Sequence, residues 1–333
     1  MKILILYNVA RQLKKGIETD LVCEQEITII VPLVKRFLQK NGYSVQTMET
    51  DFNLWEKLKR KKKSVDIVLN LAEAFGGGNT NETLVPEMLE ALEIPFTGAS
   101  AHNMHLTLDK EKTKLVLAYY GVPIPKHQVF RHPEENLASG LMFPLIVKPI
   151  REEASIGIYR DSVVSSRKQL RVKVQTVLKN YRQPALVEEF IKGREISVGM
   201  IGNAFDFIIF PPLEFIFSEA QSPLEQIRSY EYKWGGKREQ MTRASLPRKT
   251  VRKLEEYTRI AYKVTECRDY ARMDYRLDDA GNIYLLEVNY NPGIGPNTHG
   301  LNNTLTMMAS FVGISFEDLV EKIISIAHKR YQS

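Results

Sequence analysis

Between Tyr270 and Gly293 the chain reads YARMDYRLDDAGNIYLLEVNYNPG. Asp278-Asp279-Ala280-Gly281-Asn282 is turn chemistry between two β-rich runs, so the segment predicts an antiparallel hairpin. Side chains alternate faces along a strand, which puts Arg272 and Asp274 on one face, and Glu287 and Asn289 on one face of the return strand. Met273, Leu286 and Val288 are expected on the other face. Two carboxylates and an amide oxygen are hard ligands of the kind magnesium takes beside substrate phosphates. Arg272 adds a planar fork suited to a phosphate or a developing oxyanion. The chemistry indicated is phosphoryl transfer assisted by a divalent cation.

The elements that must hold this ribbon can be read from periodicity. Ile3–Tyr7, Tyr43–Met48 and Val65–Leu71 read as strands, separated by a helix through Ile27, Ile30, Val31, Val34, Phe37 and Leu38. A helix over Thr83–Glu93 leads to a further strand at Ile94–Gly98. Such alternation predicts a mostly parallel sheet covered on both faces. A helix over Lys112–Tyr120 stops at Gly121, ahead of Pro123 and Pro125. Then follow strands at Leu145–Lys148 and Ala185–Phe190, with a helix near Ser166–Asn180 between them. Strands are expected at Glu195–Ile201 and Phe205–Phe210, and a long mobile loop over Pro211–Arg243. Helices near Arg248–Cys267 and Phe316–Arg330 flank the hairpin. The fold class is α/β with α+β: residues 1–108 as a parallel-sheet domain, 109–189 as a small central domain, and 190–333 as a larger α+β domain with the metal site.

The 333 residues suffice for two or three domains, and 44% hydrophobic with 26% charged residues exclude disordered and fibrous classes. No apolar run approaches the roughly 18 residues that span a bilayer. Two distant cysteines, Cys23 and Cys267, fit a cytoplasmic protein with free thiols. The net charge of +6 raises the question of nucleic acid. Its densest source, Lys57–Lys63, reads either as a solvated surface turn or as a polyanion patch, and no zinc-finger spacing or RNA-binding aromatic signature accompanies it.

RMDYRLDDAGNIYLLEVNYNPG closely resembles the last metal-binding motif of the ATP-grasp superfamily, in particular its D-alanine–D-alanine ligase branch. PFTGASAHNMHLTLDKEKTKLVLAYYGVPIP looks like that family's entry to the central domain, FPLIVKPIREEASIGI like its phosphate-loop strand, and ALVEEFIKGREISVGMIGN like its nucleotide hinge. The resemblance runs from about Pro86 to Val320. It implies an ATP-grasp ligase that joins a carboxylate to an amine through an acyl-phosphate, with ATP and Mg2+ (or Mn2+) as cofactors. Asp274, Glu287 and Asn289 would hold the metal. Lys110 and Lys148 would approach the phosphates, Glu188 and Glu189 the adenine edge, Ile191 the adenine face, and Glu195 the ribose. Arg272 would stabilise the oxyanion. Lys233, in the closing loop Tyr230–Trp234, would reach the γ-phosphate, and Ser155 would belong to the phosphate lid. The resemblance further implies amino-acid substrates and suggests a homodimer through the amino-terminal domain; the residues themselves indicate no membrane partner and speak against a nucleic-acid partner.

Several positions depart from the family's pattern. The lid reads Glu152-Glu153-Ala154-Ser155-Ile156-Gly157, so Glu153 brings negative charge where phosphate would sit; the lid is displaced or the carboxylate faces a substrate amine. The glutamate for the substrate α-ammonium has no certain counterpart, and Glu24 or Glu26 could replace it. A histidine expected near the end of the third strand is missing; Leu71–Gly78 stands there instead, with Glu73 and Glu82 as candidate substrate contacts, and Gly295–Gly300 replaces a Ser-rich carboxylate-binding segment. The ligase reading therefore favours a substrate other than D-alanine. A true D-alanine–D-alanine ligase and a non-ligating nucleotide-binding regulator are its rivals.

Overall fold

Ile3, Leu4, Ile5 and Leu6 are all buried, and strand alternation sends Ile3 and Ile5 to one core and Leu4 and Leu6 to another. A strand buried on both faces needs covering layers on both sides, and the computed structural model supplies them. It describes residues 1–203, 206–235, 239–296 and 303–332, with the backbone alone at 22–25. The strand is β1 (Lys2–Tyr7). Helix α1 (Ile27–Lys40) presents Ile30, Val31, Val34 and Leu38 to the Ile3/Ile5 face. β2 (Ser44–Glu49) and β3 (Ile67–Leu71) flank β1 in parallel, giving the order β2-β1-β3. Helices α2 (Leu54–Lys61) and α3 (Leu84–Ala91) cover the Leu4/Leu6 face through Leu54, Leu58, Val85 and Leu89.

The basic run Lys57–Lys63 is thus mostly helix rather than turn. Leu54 and Leu58, four apart, anchor one face of α2, while Lys61 bonds Gln46 at 2.7 Å and Lys62 pairs with Glu93 at 3.0 Å. The strand expected at Ile94–Gly98 is reduced to a single parallel bridge, Val68 to Phe96. An additional helix, α4 (Ala101–Leu108), opens on the Ser100 cap. α5 (Lys110–Tyr119) begins two residues earlier than its apolar pattern indicates, because the Asp109 carboxylate accepts the Lys112 amide at 3.2 Å. The cap puts Lys110 at the first helical position, where it is buried.

Next, β4 (His127–Phe130), β5 (Leu145–Pro149), β6 (Val163–Val164) and, after α6 (Arg167–Tyr181), β7 (Ala185–Glu189) form an antiparallel sheet in the order β4-β7-β5-β6. The third sheet contains β8 (Arg194–Asn203), β9 (Asp206–Ile209), β10 (Leu213–Ile216) and, beyond α7 (Tyr230–Trp234), β11 (Gln240–Arg243). Much of the segment expected to be a mobile loop is therefore ordered: Leu213 and Phe215 are buried, and β10 pairs with β8 on one side and β11 on the other. α8 (Arg248–Val264) packs Leu254, Ala261 and Tyr262 on this sheet. The hairpin β12 (Tyr270–Leu277) and β13 (Ile283–Asn289) completes it in the order β11-β10-β8-β12-β13, with β9 on β8. α9 (Thr304–Ser310) and α10 (Phe316–Arg330) follow, and α10 returns to the first sheet with Leu319, Ile323 and Ala327.

Candidate functional site

The hairpin register sets the centre of the site. Arg272 stands opposite Asn289 and Asp274 opposite Glu287, after which a bulge offsets the strands so that Tyr275 faces Leu285. Leu286 is the extra residue. It lines the cleft, where simple alternation places it on the opposite face. Met273 and Val288 do point away, into the core under α8.

All four polar side chains open into one cleft between the second and third sheets, whose empty space, mouth included, is about 1310 Å³. Arg272 grips Asp274 with two bonds, Nε at 2.8 Å and Nη2 at 2.9 Å. The Ser197 hydroxyl donates to Asp274 at 2.5 Å and the Asn289 amide at 2.9 Å. Burial works against the charge on Asp274, but Arg272 and Ser197 outweigh it and hold the carboxyl below its ordinary range. Glu287 pairs with Lys110 at 2.7 Å, and Lys110 also donates to the Glu152 carbonyl. Each carboxylate of this opposed pair is balanced by one basic side chain, Asp274 by Arg272 and Glu287 by Lys110. Such a donor set can take a divalent cation in exchange for those partners, and the residues fit the metal role the resemblance implies. Among the described residues, no cluster of three His, Cys, Asp or Glu side chains stands ready for a metal. Asn289 and substrate oxygens would have to complete the shell.

A buried triad forms part of the cleft lining through Lys148 and Glu188, with Lys114 behind them. Glu188 on β7 sits between Lys148 on β5, at 2.6 Å, and Lys114 on α5, at 2.8 Å. Burial pushes the Glu188 carboxyl up, yet the two ammonium groups win and hold it at about 2. Burial is the larger influence on Lys114, pressing it down to about 8 against the pull of Glu188. Sequence reasoning missed Lys114, although it lies one helical turn past Lys110 on the buried face of α5. Glu188 is thereby committed to two cations, which leaves the adjoining edge of the cleft to the main chain, Ile191 and the partly exposed Glu189, 3.5 Å from Lys126. Glu195 on β8 lines the same end, 3.3 Å from Arg276. Arg276 and Arg228 were also missed. Arg228 makes a two-pronged pair with Glu239 at 2.6 and 3.0 Å, inside the segment that lacked periodicity.

The lid turns on two consecutive left-handed residues, Ala154 (φ 54°) and Ser155 (φ 65°). The Ser155 hydroxyl donates to the Arg228 carbonyl at 2.8 Å, and the Trp234 indole to the Ala154 carbonyl at 3.0 Å. The lid and the α7 segment are thus latched together. Lys233 lines the cleft with its ammonium 4.5 Å from the Trp234 ring centroid. Glu26, just before α1, and Glu73, just after β3, also line the cleft, as does Glu153. Burial, then repulsion from Glu287, pushes the Glu153 carboxyl up to about 8. The Glu24 side chain and residues 297–300 lie outside the described residues, and Glu82 is engaged by Lys15 at 3.4 Å.

Comparison with known proteins bears on this arrangement. Residues 116–325 match the family model for the D-ala D-ala ligase C-terminus. The D-alanine–D-alanine ligase of Carboxydothermus hydrogenoformans is 31% identical over 303 residues, covering 87% of this chain and 90% of its own. The chain belongs to the D-alanine–D-alanine ligase family. It is accordingly an ATP-dependent, ADP-forming carboxylate–amine ligase of the ATP-grasp fold. An uncharacterized protein of Sinorhizobium fredii, y4sG, is 33% identical over 300 residues, 88% of this chain and 86% of that one. The D-alanine–D-alanine ligase of Bacillus anthracis complexed with ATP shares the fold, with a TM-score of 0.75 and 23% identity across 100% of this chain and 99% of that one. Among the described residues no helix is long and apolar enough to cross a membrane.

Proposed function

We propose that this ligase activates an amino-acid carboxylate with ATP and Mg2+ in the cleft described, then transfers the acyl group to an amine. The observation that carries it is the register-paired Asp274 and Glu287 with Asn289, held beside Arg272 and lining one cavity with Lys148. Asp274, Glu287 and Asn289 would hold the metal, which when bound neutralises phosphate charge. In the first half-reaction a carboxylate oxygen of the substrate bonds the γ-phosphorus, the bond to the bridging oxygen breaks, and ADP leaves. In the second, the amine nitrogen attacks the acyl carbon and loses a proton as inorganic phosphate departs. Lys110, Lys148 and Lys233 stabilise the charge on the transferred group, and Arg272 the oxyanion. Ile191 and the Glu189 edge seat the base, and Glu195 the ribose. Ser155 and Trp234 hold the lid shut against water. Residues 1–108 supply the substrate wall, 109–189 the phosphate lid and 190–333 the metal ribbon. The family resemblance carries the homodimer and the cytoplasmic setting.

The relatives' names favour D-alanine for both substrates; Glu153 in the lid favours a different amino acid. Phosphate release from ATP across D- and L-amino acids, singly and in pairs, decides between them. Glu287→Gln is expected to lower turnover at least 100-fold with unfolding temperature within about 3 °C of the parent. Full activity in that variant would sink the site assignment.

A further inference from the structure

Between β1 and α1 the chain does not run straight to the helix. Residues 14–20 cross to the lid and to the end of α6. The Lys14 amide donates to the Asn79 side chain at 2.9 Å, and the Asn79 amide group donates to the Lys15 carbonyl at 3.1 Å. Lys15 then pairs with Glu152 of the lid at 2.9 Å, and the Gly16 amide donates to the Asn180 carbonyl of α6 at 2.9 Å. The Thr19 carbonyl accepts the Tyr230 hydroxyl of α7 at 2.6 Å. Asp20 ends the crossing and is 0% exposed.

The Asp20 carboxylate receives three neutral donors: the Tyr159 hydroxyl at 3.1 Å, the Tyr181 hydroxyl at 3.3 Å and the Ile17 amide at 2.9 Å. A buried carboxylate depends on every donor it has to offset lost hydration. Tyr159 lies two residues past the lid glycine Gly157, and Tyr181 is the last residue of α6. The Tyr181 ring fits between two glycines. A Cβ on Gly16 would stand 3.6 Å from one ring edge and 2.5 Å from the Asp20 carboxylate, and a Cβ on Gly157 3.2 Å from the other edge. The same ring packs with Ile156 of the lid and Trp234 of α7 in one small apolar cluster. None of Asp20, Tyr159 and Tyr181 lines the cleft.

We propose that residues 14–20 strap the phosphate lid in its latched position, with Asp20 as the positioning residue that holds Tyr159 and Tyr181 together beneath it. Nucleotide affinity then depends on a carboxylate that never touches the nucleotide. The inference rests on the ATP reading of the cleft and adds a determinant outside it. A lid latched for only a fifth of the time would bind about fivefold more weakly.

Two measurements on the full chain test the strap. Trp55 and Trp234 are its two tryptophans, so Trp55→Phe leaves Trp234 as a fluorescent reporter of the latch. In that background Asp20→Ala is expected to at least double the acrylamide quenching constant. By calorimetry, the same variant should weaken binding of a non-hydrolysable imido analogue of ATP with Mg2+ about fivefold or more. Tyr159→Phe combined with Tyr181→Phe keeps the side-chain shapes, should weaken it about threefold, and stands alone if Asp20→Ala does not fold. Adding that pair to Asp20→Ala should change the affinity less than 1.5-fold further, since all three share one carboxylate. Tyr262→Phe removes a buried hydroxyl that bonds the Gly202 carbonyl at 2.7 Å, away from the lid, and should move neither reading. Quenching or affinity left at the parent's value by Asp20→Ala and by the tyrosine pair would overturn the inference. So would equal shifts from Tyr262→Phe, or effects that multiply in the combined variant. A parent that does not bind the ATP analogue would refute the ATP reading itself, and the strap's role in nucleotide binding falls with it.

Discussion

Replacing Glu188 with glutamine removes one negative charge from between two buried ammonium groups without changing the shape of the side chain. Glu188 and Lys114 are each 1% exposed and Lys148 is 7% exposed, so little water can take over. Glu188 is held at about 2 against an ordinary 4.5, which at roughly 1.4 kcal/mol per unit corresponds to about 3–4 kcal/mol of folded-state stabilisation. Breaking a buried pair by removing one partner costs about 3–5 kcal/mol, the same range. In a chain of this size each kcal/mol moves the unfolding temperature by about 2 °C, so Glu188→Gln is expected to melt about 6–10 °C lower at pH 7.5. The folded-state value lies below the unfolded one, so the stabilisation is complete above about pH 5 and is lost as pH falls toward 2. The gap between variant and parent should therefore narrow below pH 5. Adding Lys114→Met removes the surplus cation and should recover more than half of the loss. Differential scanning fluorimetry over pH 3.5–8 reads all three outcomes. A single variant melting within 1 °C of the parent at pH 7.5 would refute the claim that Glu188 is the counter-ion of both lysines.

Other consequences can be measured independently. Glu153 is raised to about 8, above its unfolded value, so the folded state keeps a proton that the unfolded chain releases, and stability falls as pH rises from about 4.5 to 8. Glu153→Gln should therefore melt above the parent at pH 8.5 and converge with it near pH 4.5; identical curves at both would contradict that environment. Lys15 joins the segment after β1 to the lid through Glu152, whose carbonyl receives Lys110. Lys15→Met should raise KM for ATP about fivefold while changing kcat less than twofold, and an unchanged KM would show that Lys15 does not position the lid. Gly193 has φ 131°, and a Cβ there would stand 2.1 Å from the Leu277 carbonyl oxygen. Gly193→Ala should cost about 2 kcal/mol or more, read as a lower unfolding temperature, because backbone rather than a flexible side chain blocks it.

The elements most legible in the sequence are those specified by local rules. The β12–β13 hairpin follows from period-two alternation around Asp278–Asn282, and α10 from its Ser315 cap and apolar spacing. β1, β2 and β3 follow from short apolar runs between helices. Less legible were elements whose reason is remote. β10 and β11 exist because Leu213 and Phe215 find a core beside β8, and Leu286 enters the cleft because of a bulge that alternation does not anticipate.

The charges of the site divide along the same line. Residue types and spacing within one hairpin determined that Arg272, Asp274, Glu287 and Asn289 would open to one side, since a pleated ribbon of a few residues leaves little choice of face. Only the tertiary structure decided which cation answers which anion. Glu188 draws Lys114 from a helix and Lys148 from a neighbouring strand, Arg228 finds Glu239 from the far side of α7, and Lys15 reaches Glu152 over a long stretch of chain. Coulomb energy depends on distance in space and on the exclusion of water, and neither is a property of sequence separation.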